Sequence, residues 1–267
     1  RKPETGNPLF GWAEGASREL ICVDLRSLRL QRSDTIALGG YRCGGDRFGY
    51  LHHMPAYPLQ LAVLLSGGGR SLQNLIDRID AGTLDAEIVL VLASNESAGG
   101  LQRAEAAGIP AHVVSRRACD DADDFAMRVF SLIRASRADL VCLAGFLSLL
   151  PIPEDFLGRV LNIHPALLPS FGGQGMYGNK VHRAVLEHGC KVSGCTVHFA
   201  DNTYDTGPIL VQRCCEVRED DTPDTLAARV FAVECEAYPE AIQRIAEDRV
   251  RVEGRRIRIA HHRGDPT

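Results

Sequence analysis

An asparagine and a histidine stand two positions apart in the stretch "LNIHPALLPSFGG", residues 161–173. Residues two apart on a β-strand point to the same face, so Asn162 and His164 project together while Ile163 turns back into the packing. Pro165 biases His164 toward extended backbone and ends the strand there. In a parallel sheet both polar groups then emerge at the carboxyl edge, where open α/β folds bind ligands. A carboxamide that donates hydrogen bonds beside an imidazole that exchanges a proton suits addition to a carbonyl. The amide steadies the developing oxyanion, and the imidazole handles the nucleophile's proton. Taken alone, the pair also fits a loop histidine that is merely hydrogen-bonded. The third group is Asp205, in "DNTYDTGP". A carboxylate near the imidazole would raise its pKa and fix its tautomer, whereas an acid followed by Thr-Gly-Pro is by itself a turn signal. His198, in "TVHFA", reads as a packed strand residue.

A second site sits in "SGGGRSLQ", residues 66–73, where an apolar run gives way to helical spacing. The consecutive glycines Gly67, Gly68 and Gly69 let backbone amides approach a ligand closely. The helix start behind them offers unpaired N–H groups and a positive dipole end, which suits a phosphate. No Gly-Lys-Ser/Thr follows, so this is not a Walker A loop. Leu72 occupies the place of the third glycine of G-x-G-x-x-G, which favours a phosphomonoester over a dinucleotide. A tight structural turn is the alternative. Other chemistries have little to build on. The only lysines are Lys2, Lys180 and Lys191, which leaves few Schiff-base candidates, and there is no G-x-S-x-G elbow. The nine cysteines are scattered without a C-x-x-C pair, mostly in apolar segments, and no His/Cys cluster has metal spacing. Reduced thiols and a cytoplasmic protein are expected.

The elements that must hold these groups follow from hydrophobic periodicity. "LQLAVLLS", "AEIVLVLAS", "IPAHVVS", "ADLVCLAGF" and "RVLNIH" read as strands. Between them come helices begun by "GRSLQNLIDRIDAG" and "AGGLQRAEAAG" and one over about 121–136. Strand–helix alternation with fully apolar strands predicts an α/β, doubly wound, mostly parallel sheet covered on both faces. A helix near 179–188 and two strands, "KVSGCTVHFA" and "GPILVQRCCEV", complete the pattern. A long closing helix, "TPDTLAARVFAVECEAYPEAIQRIAED", carries Pro239, where a break or kink is expected. The tail "RVRVEGRRIRI" alternates Val or Ile with Arg, as a solvated antiparallel strand pair would, rather than a nucleic-acid patch. Residues 1–57 are poorly patterned and are expected to be a partly disordered extension or a mis-assigned start, the first methionine being Met54. The expected division is 1–57, a compact domain 58–258, and a tail 259–267.

Composition sets the outer limits. The chain has 267 residues, 45% hydrophobic and 24% charged, as an ordinary globular protein does. A formal charge of −4 gives no general attraction to nucleic acid or anionic membranes. No apolar run approaches the roughly 18 residues of a membrane-spanning helix, and the amino end has no signal-peptide core. Small molecules, not nucleic acid or membranes, are the expected partners of a monomer or homodimer.

These segments, in this order, resemble the phosphoribosylglycinamide formyltransferases of purine synthesis over residues 59–258. Six of them carry the likeness: "VLLSGGGRSLQNLID", "LVCLAGFLSLL", "LNIHPALLPSFGG", "HRAVLEHG", "SGCTVHFADNTYDTGPILVQ" and "LAARVFAVECEAYP". The resemblance implies formyl transfer from 10-formyltetrahydrofolate, as co-substrate, to the glycyl amine of glycinamide ribonucleotide, with no metal. It implies Asn162, His164 and Asp205 as the catalytic set, with Asp205 keeping the imidazole charged. Gly69, Arg70 and Ser71 match the family's substrate-phosphate loop, and Glu234 an acid that contacts the ribonucleotide. Leu147, Ser148, Leu149 and Leu150, with Asn162, match the folate pocket. The chain departs from the pattern in three places. Arg70 and Ser71 replace the usual Ser-Asn, the loop after Pro169 is longer, and a folate-contacting arginine has no match near "DDADDF". The same core serves methionyl-tRNA formyltransferase, which needs a further carboxyl-terminal domain where here about 20 residues follow the last helix. It also serves formyltetrahydrofolate deformylase, which has an amino-terminal regulatory domain and needs no phosphate loop. A catalytically silent phosphoribosyl-ligand binder is the reading from another class.

Overall fold

Leu59–Leu65 is apolar at every position but Gln60, and it forms β1 in the computed structural model, which describes residues 58–260. The segment 1–57 and the last seven residues, with the expectations placed on them, lie outside the described residues. Successive residues of β1 bury on opposite sides of a sheet. Leu59, Leu61, Val63 and Leu65 enter one core, and Ala62 and Leu64 the other. That is why the strand reads as continuously apolar.

Chain order continues with α1 (Arg70–Asp80), β2 (Ala86–Ala93), α2 (Gly100–Ala106), β3 (Ala111–Val113), α3 (Ala122–Ser136), β4 (Leu140–Leu143) and β5 (Val160–His164). Then come α4 (Asn179–Glu187), β6 (Val192–Phe199), β7 (Ile209–Glu216), α5 (Pro223–Ala246), β8 (Val250–Glu253) and β9 (Arg256–Ile259). Seven strands form one sheet in the order β3-β2-β1-β4-β5-β6-β7. The first five are mutually parallel, while β6 runs antiparallel to β5 and β7 antiparallel to β6. Residues of α1, α2, α4 and α5 pack on one face and those of α3 on the other. The doubly wound expectation holds. Strand order reverses between β1 and β4, and at such a switch point the loops leaving the strands part to open a crevice. The arginine-rich tail is the antiparallel pair β8–β9, as its alternation implied.

Helix ends follow their sequence signals. Asp121 caps α3 by accepting from the Asp124 N–H, and Thr222 with Thr225 makes a reciprocal capping box at α5. The expected break at Pro239 is not found, since α5 runs through it from Pro223 to Ala246. Proline cannot donate to the carbonyl four residues back, that of Cys235. That oxygen instead accepts from Asn74 Nδ2 at 3.1 Å and Arg78 at 3.3 Å, both on α1. A neighbouring helix thus satisfies the orphaned group and keeps α5 continuous.

One residue earlier, buried Tyr238 ties α5 to the strands beneath the crevice. Its hydroxyl lies 3.1 Å from the Leu143 carbonyl, at the end of β4, and 3.0 Å from that of Leu161, near the start of β5. Tyr238→Phe keeps the ring and removes the donor, so it should lower unfolding free energy by about 1–2 kcal/mol in urea titration. An unchanged midpoint would mean that water replaces the bond.

Candidate active site

Three chain segments meet where β1 and β4 part. The first is the glycine loop between β1 and α1. Gly69 has φ 71°, and a Cβ there would lie 2.6 Å from the Gly100 Cα, so both conformation and space call for glycine. The loop is held from α2: the Gly100 N–H donates to the Gly67 carbonyl at 3.1 Å. Arg103 donates to the Gly68 carbonyl at 2.8 Å and to Gln73 at 3.0 Å. Arg70, at the first position of α1, lays its guanidinium 4.2 Å from the ring centre of Phe231 on α5. One turn on, Glu234 also faces the cavity. Burial pushes its carboxyl up to about 7, and the charge of Arg70 pulls the other way.

The second segment leaves β4. The Leu147 N–H donates to Ser66 Oγ at 3.0 Å, joining this loop to the end of β1. Leu147 and Leu149 are exposed and Leu150 is buried, which gives the crevice an apolar rim.

The third is the polar edge of β5 with the turn after β6. His164 Nδ1 lies 3.5 Å from Asp205 Oδ2, and its Nε2 2.9 Å from the Phe171 carbonyl. Asp205 itself takes the left-handed conformation, φ 56°, and accepts from the Gly173 N–H at 2.8 Å. Asn162 Nδ2 lies 3.0 Å from His198 Nε2 and 3.4 Å from Asp205 Oδ1. The carboxamide, carboxylate and imidazole predicted from sequence therefore converge.

One expectation is extended and another corrected. His198 is packed in its strand, but it is also part of the polar cluster. It stands directly opposite Asn162 in the β5–β6 register, and its Nε2 is 3.6 Å from Asp205 Oδ1. The His164 pKa is not raised. Burial, the strongest influence, pushes it below its ordinary value, outweighing the upward pull of Asp205 and of the Phe171 carbonyl. Burial likewise pushes the Asp205 carboxyl up, but its polar surroundings, the donating Gly173 N–H among them, hold it below the usual range.

One cavity of about 700 Å³ is lined by all three segments. Every site residue expected from the sequence borders it: Gly67 to Ser71, Leu147 to Leu150, Asn162, His164, Asp205 and Glu234. The longer loop after Pro169 also borders it, from Gly173 to Asn179. Sequence reasoning missed Arg103, Phe231 and His182. His182, on α4, is buried, and its Nδ1 has no hydrogen-bond partner among the described residues. His182 and Phe231 lie in segments that carry the family likeness, but nothing in their local spacing marks them as site residues. Each reaches the cavity by helix packing across a large sequence separation.

A carboxamide, two imidazoles and a carboxylate beside a glycine-rich helix start, at the switch point of a doubly wound sheet, define a group-transfer enzyme acting on a carbonyl centre. The formyl transferase profile matches residues 59–242, and the chain belongs to that family. It is 40% identical over 195 residues to the phosphoribosylglycinamide formyltransferase, chloroplastic, of Arabidopsis thaliana, covering 72% of this chain and 67% of that protein. It is also 40% identical over 196 residues to the trifunctional purine biosynthetic protein adenosine-3 of Gallus gallus, covering 73% of this chain but only 19% of that much longer one. Among solved structures, glycinamide ribonucleotide transformylase 1 from Symbiobacterium toebii superposes with a TM-score of 0.73 at 38% identity. That match spans 80% of this chain and 99% of the solved one.

Proposed function

We propose that the chain transfers the formyl group of 10-formyltetrahydrofolate to the glycyl amine of glycinamide ribonucleotide, in the synthesis of purines. The observation that carries this reading is the convergence of Asn162, His164 and Asp205 on a cavity whose other end is the glycine loop. In the neutral, resting imidazole, Nε2 holds the proton given to Phe171, so the Nδ1 lone pair faces the Asp205 carboxylate. That contact is relieved when a proton enters between them, and burial keeps the place empty until one arrives. The amine attacks the formyl carbon, a new C–N bond forms, and the carbonyl oxygen becomes an oxyanion held by Asn162 N–H. The surplus amine proton passes to the His164–Asp205 pair. Collapse restores the carbonyl and breaks the bond to the folate N10, which takes the proton as it leaves.

The glycine loop, Arg70 and Ser71 take the phosphate, Glu234 contacts the ribonucleotide, and the rim of Leu147, Ser148, Leu149 and Leu150 takes the folate. The partners are then two small molecules. The free cysteines suit a reducing compartment, the cytoplasm or, as the Arabidopsis relative's name has it, a plastid. A single assay tests the whole reading: follow folate release from 10-formyltetrahydrofolate with and without the ribonucleotide. Release only when it is present supports the transferase. Release without it means a hydrolase, and none means a silent binder.

Arg70→Ala should raise the KM for the ribonucleotide by about 10- to 10²-fold with little change in kcat, because a charge-assisted contact contributes about 1.5–3 kcal/mol. The same substitution should not matter for the dephosphorylated riboside. An equal penalty on both would place Arg70 away from the phosphate.

A further inference from the structure

Asparagine is an ambiguous choice for stabilising an oxyanion, because one end of the carboxamide donates and the other accepts. Turned one way it offers N–H to the developing charge; turned the other way it offers a lone pair and repels it. Something must decide which end faces the reacting carbonyl, and the groups around Asn162 do so in a definite manner.

The deciding group is His198, 1% exposed, on the neighbouring strand. Its Nδ1 lies 3.0 Å from the carbonyl of Phe199. A carbonyl only accepts, so Nδ1 carries the proton, and the Nε2 of the neutral ring presents a lone pair. Asn162 Nδ2 lies 3.0 Å from that nitrogen, within hydrogen-bond distance, and donates to it. Asp205 Oδ1, at 3.6 Å from Nε2, is too far to compete. With one hydrogen committed to His198, the nitrogen end of the carboxamide is fixed inward. Its second hydrogen is held only loosely, at 3.4 Å from Asp205 Oδ1, and is the one an oxygen entering the cavity can take. The two side chains belong to directly paired residues of β5 and β6, so backbone hydrogen bonds maintain their approach.

We propose that His198 is a positioning residue that sets the Asn162 carboxamide with its N–H end toward the reacting carbonyl. This rests on the formyl-transfer reading for its catalytic consequence, but its geometric content can be tested separately. In the full chain labelled with 15N, a scalar coupling across the hydrogen bond between Asn162 Nδ2 and His198 Nε2 is expected. Its absence would overturn the proposal whatever the enzyme does.

Kinetically, His198→Leu removes the acceptor and should lower kcat about 10²-fold with both KM values within about twofold of wild type, as misorientation of one group can. His198→Gln puts a carbonyl oxygen near the place of Nε2 and should recover most of the loss. A His198→Leu enzyme with kcat within about twofold of wild type, or a glutamine variant no better than the leucine one, would overturn the assignment. If the leucine variant fails to fold by circular dichroism, the wild-type coupling and the glutamine variant's kcat still decide. Absence of formyl transfer in the wild-type chain would instead remove the functional reading, and the coupling alone would then decide the geometry.

Discussion

Asn162→Ala should lower kcat by about 10²–10³-fold while leaving the KM for the ribonucleotide near that of the wild type. The asymmetry comes from where the groups stand. The glycine loop, Arg70 and Glu234 lie on α1, α5 and their approaches, whereas Asn162 is on β5 beside Asp205 and His198. In the proposed mechanism, removing the carboxamide takes away a donor that matters when charge builds on the formyl oxygen. It takes nothing from the glycine loop. Single-turnover measurements with both substrates saturating would read the chemical step directly, and calorimetric titration with the ribonucleotide would read binding. Turnover within a few-fold of wild type would sink the oxyanion role.

Asp205→Asn should be nearly as damaging, with kcat lower on the order of 10²-fold at neutral pH, the scale of acid–base contributions. The substitution suits the question because asparagine tolerates the left-handed backbone found at this position. Its remaining carbonyl oxygen can still accept from the Gly173 N–H. What is lost is the charge. Burial already pushes the His164 pKa down, and Asp205 supplies the main opposing pull. Without the carboxylate the imidazolium loses its counter-ion, so the His164 titration midpoint must move to still lower pH. Its imidazole resonances, followed by NMR against pH, would show that shift. A midpoint that stays in place or rises would mean that Asp205 does not act through His164.

Much of this arrangement is legible in the amino-acid order. The period of two places Asn162 and His164 on one face, and Pro165 ends their strand at the sheet's carboxyl edge. Continuous apolar runs separated by helical spacing call for a parallel sheet, and a parallel sheet has its ligand crevice at a switch point. Three glycines at a strand–helix junction mark an approach to backbone amides, and the left-handed Gly69 is consistent with that use.

The remainder depended on which distant residues come into contact. His198 lies 36 positions from Asn162, and only the antiparallel register of β6 against β5 brings the ring and amide together. Slipping that register by one residue would turn His198 to the other face. Arg70 could point to solvent or ligand as far as its own neighbours say. Phe231, reached through the packing of α5, gives it a resting place over the cavity. Pro239 carries a local rule against helix continuation, and two side chains of α1 override it by taking the freed carbonyl. The His164 pKa followed the same logic, since a single nearby carboxylate predicts a rise and burial reverses it. Amino-acid order alone determined the elements and the chemistry they carry, because both are set by spacing along a few residues. Tertiary structure decided partners, orientation and protonation, because those energies depend on burial and on contacts between groups far apart in the chain.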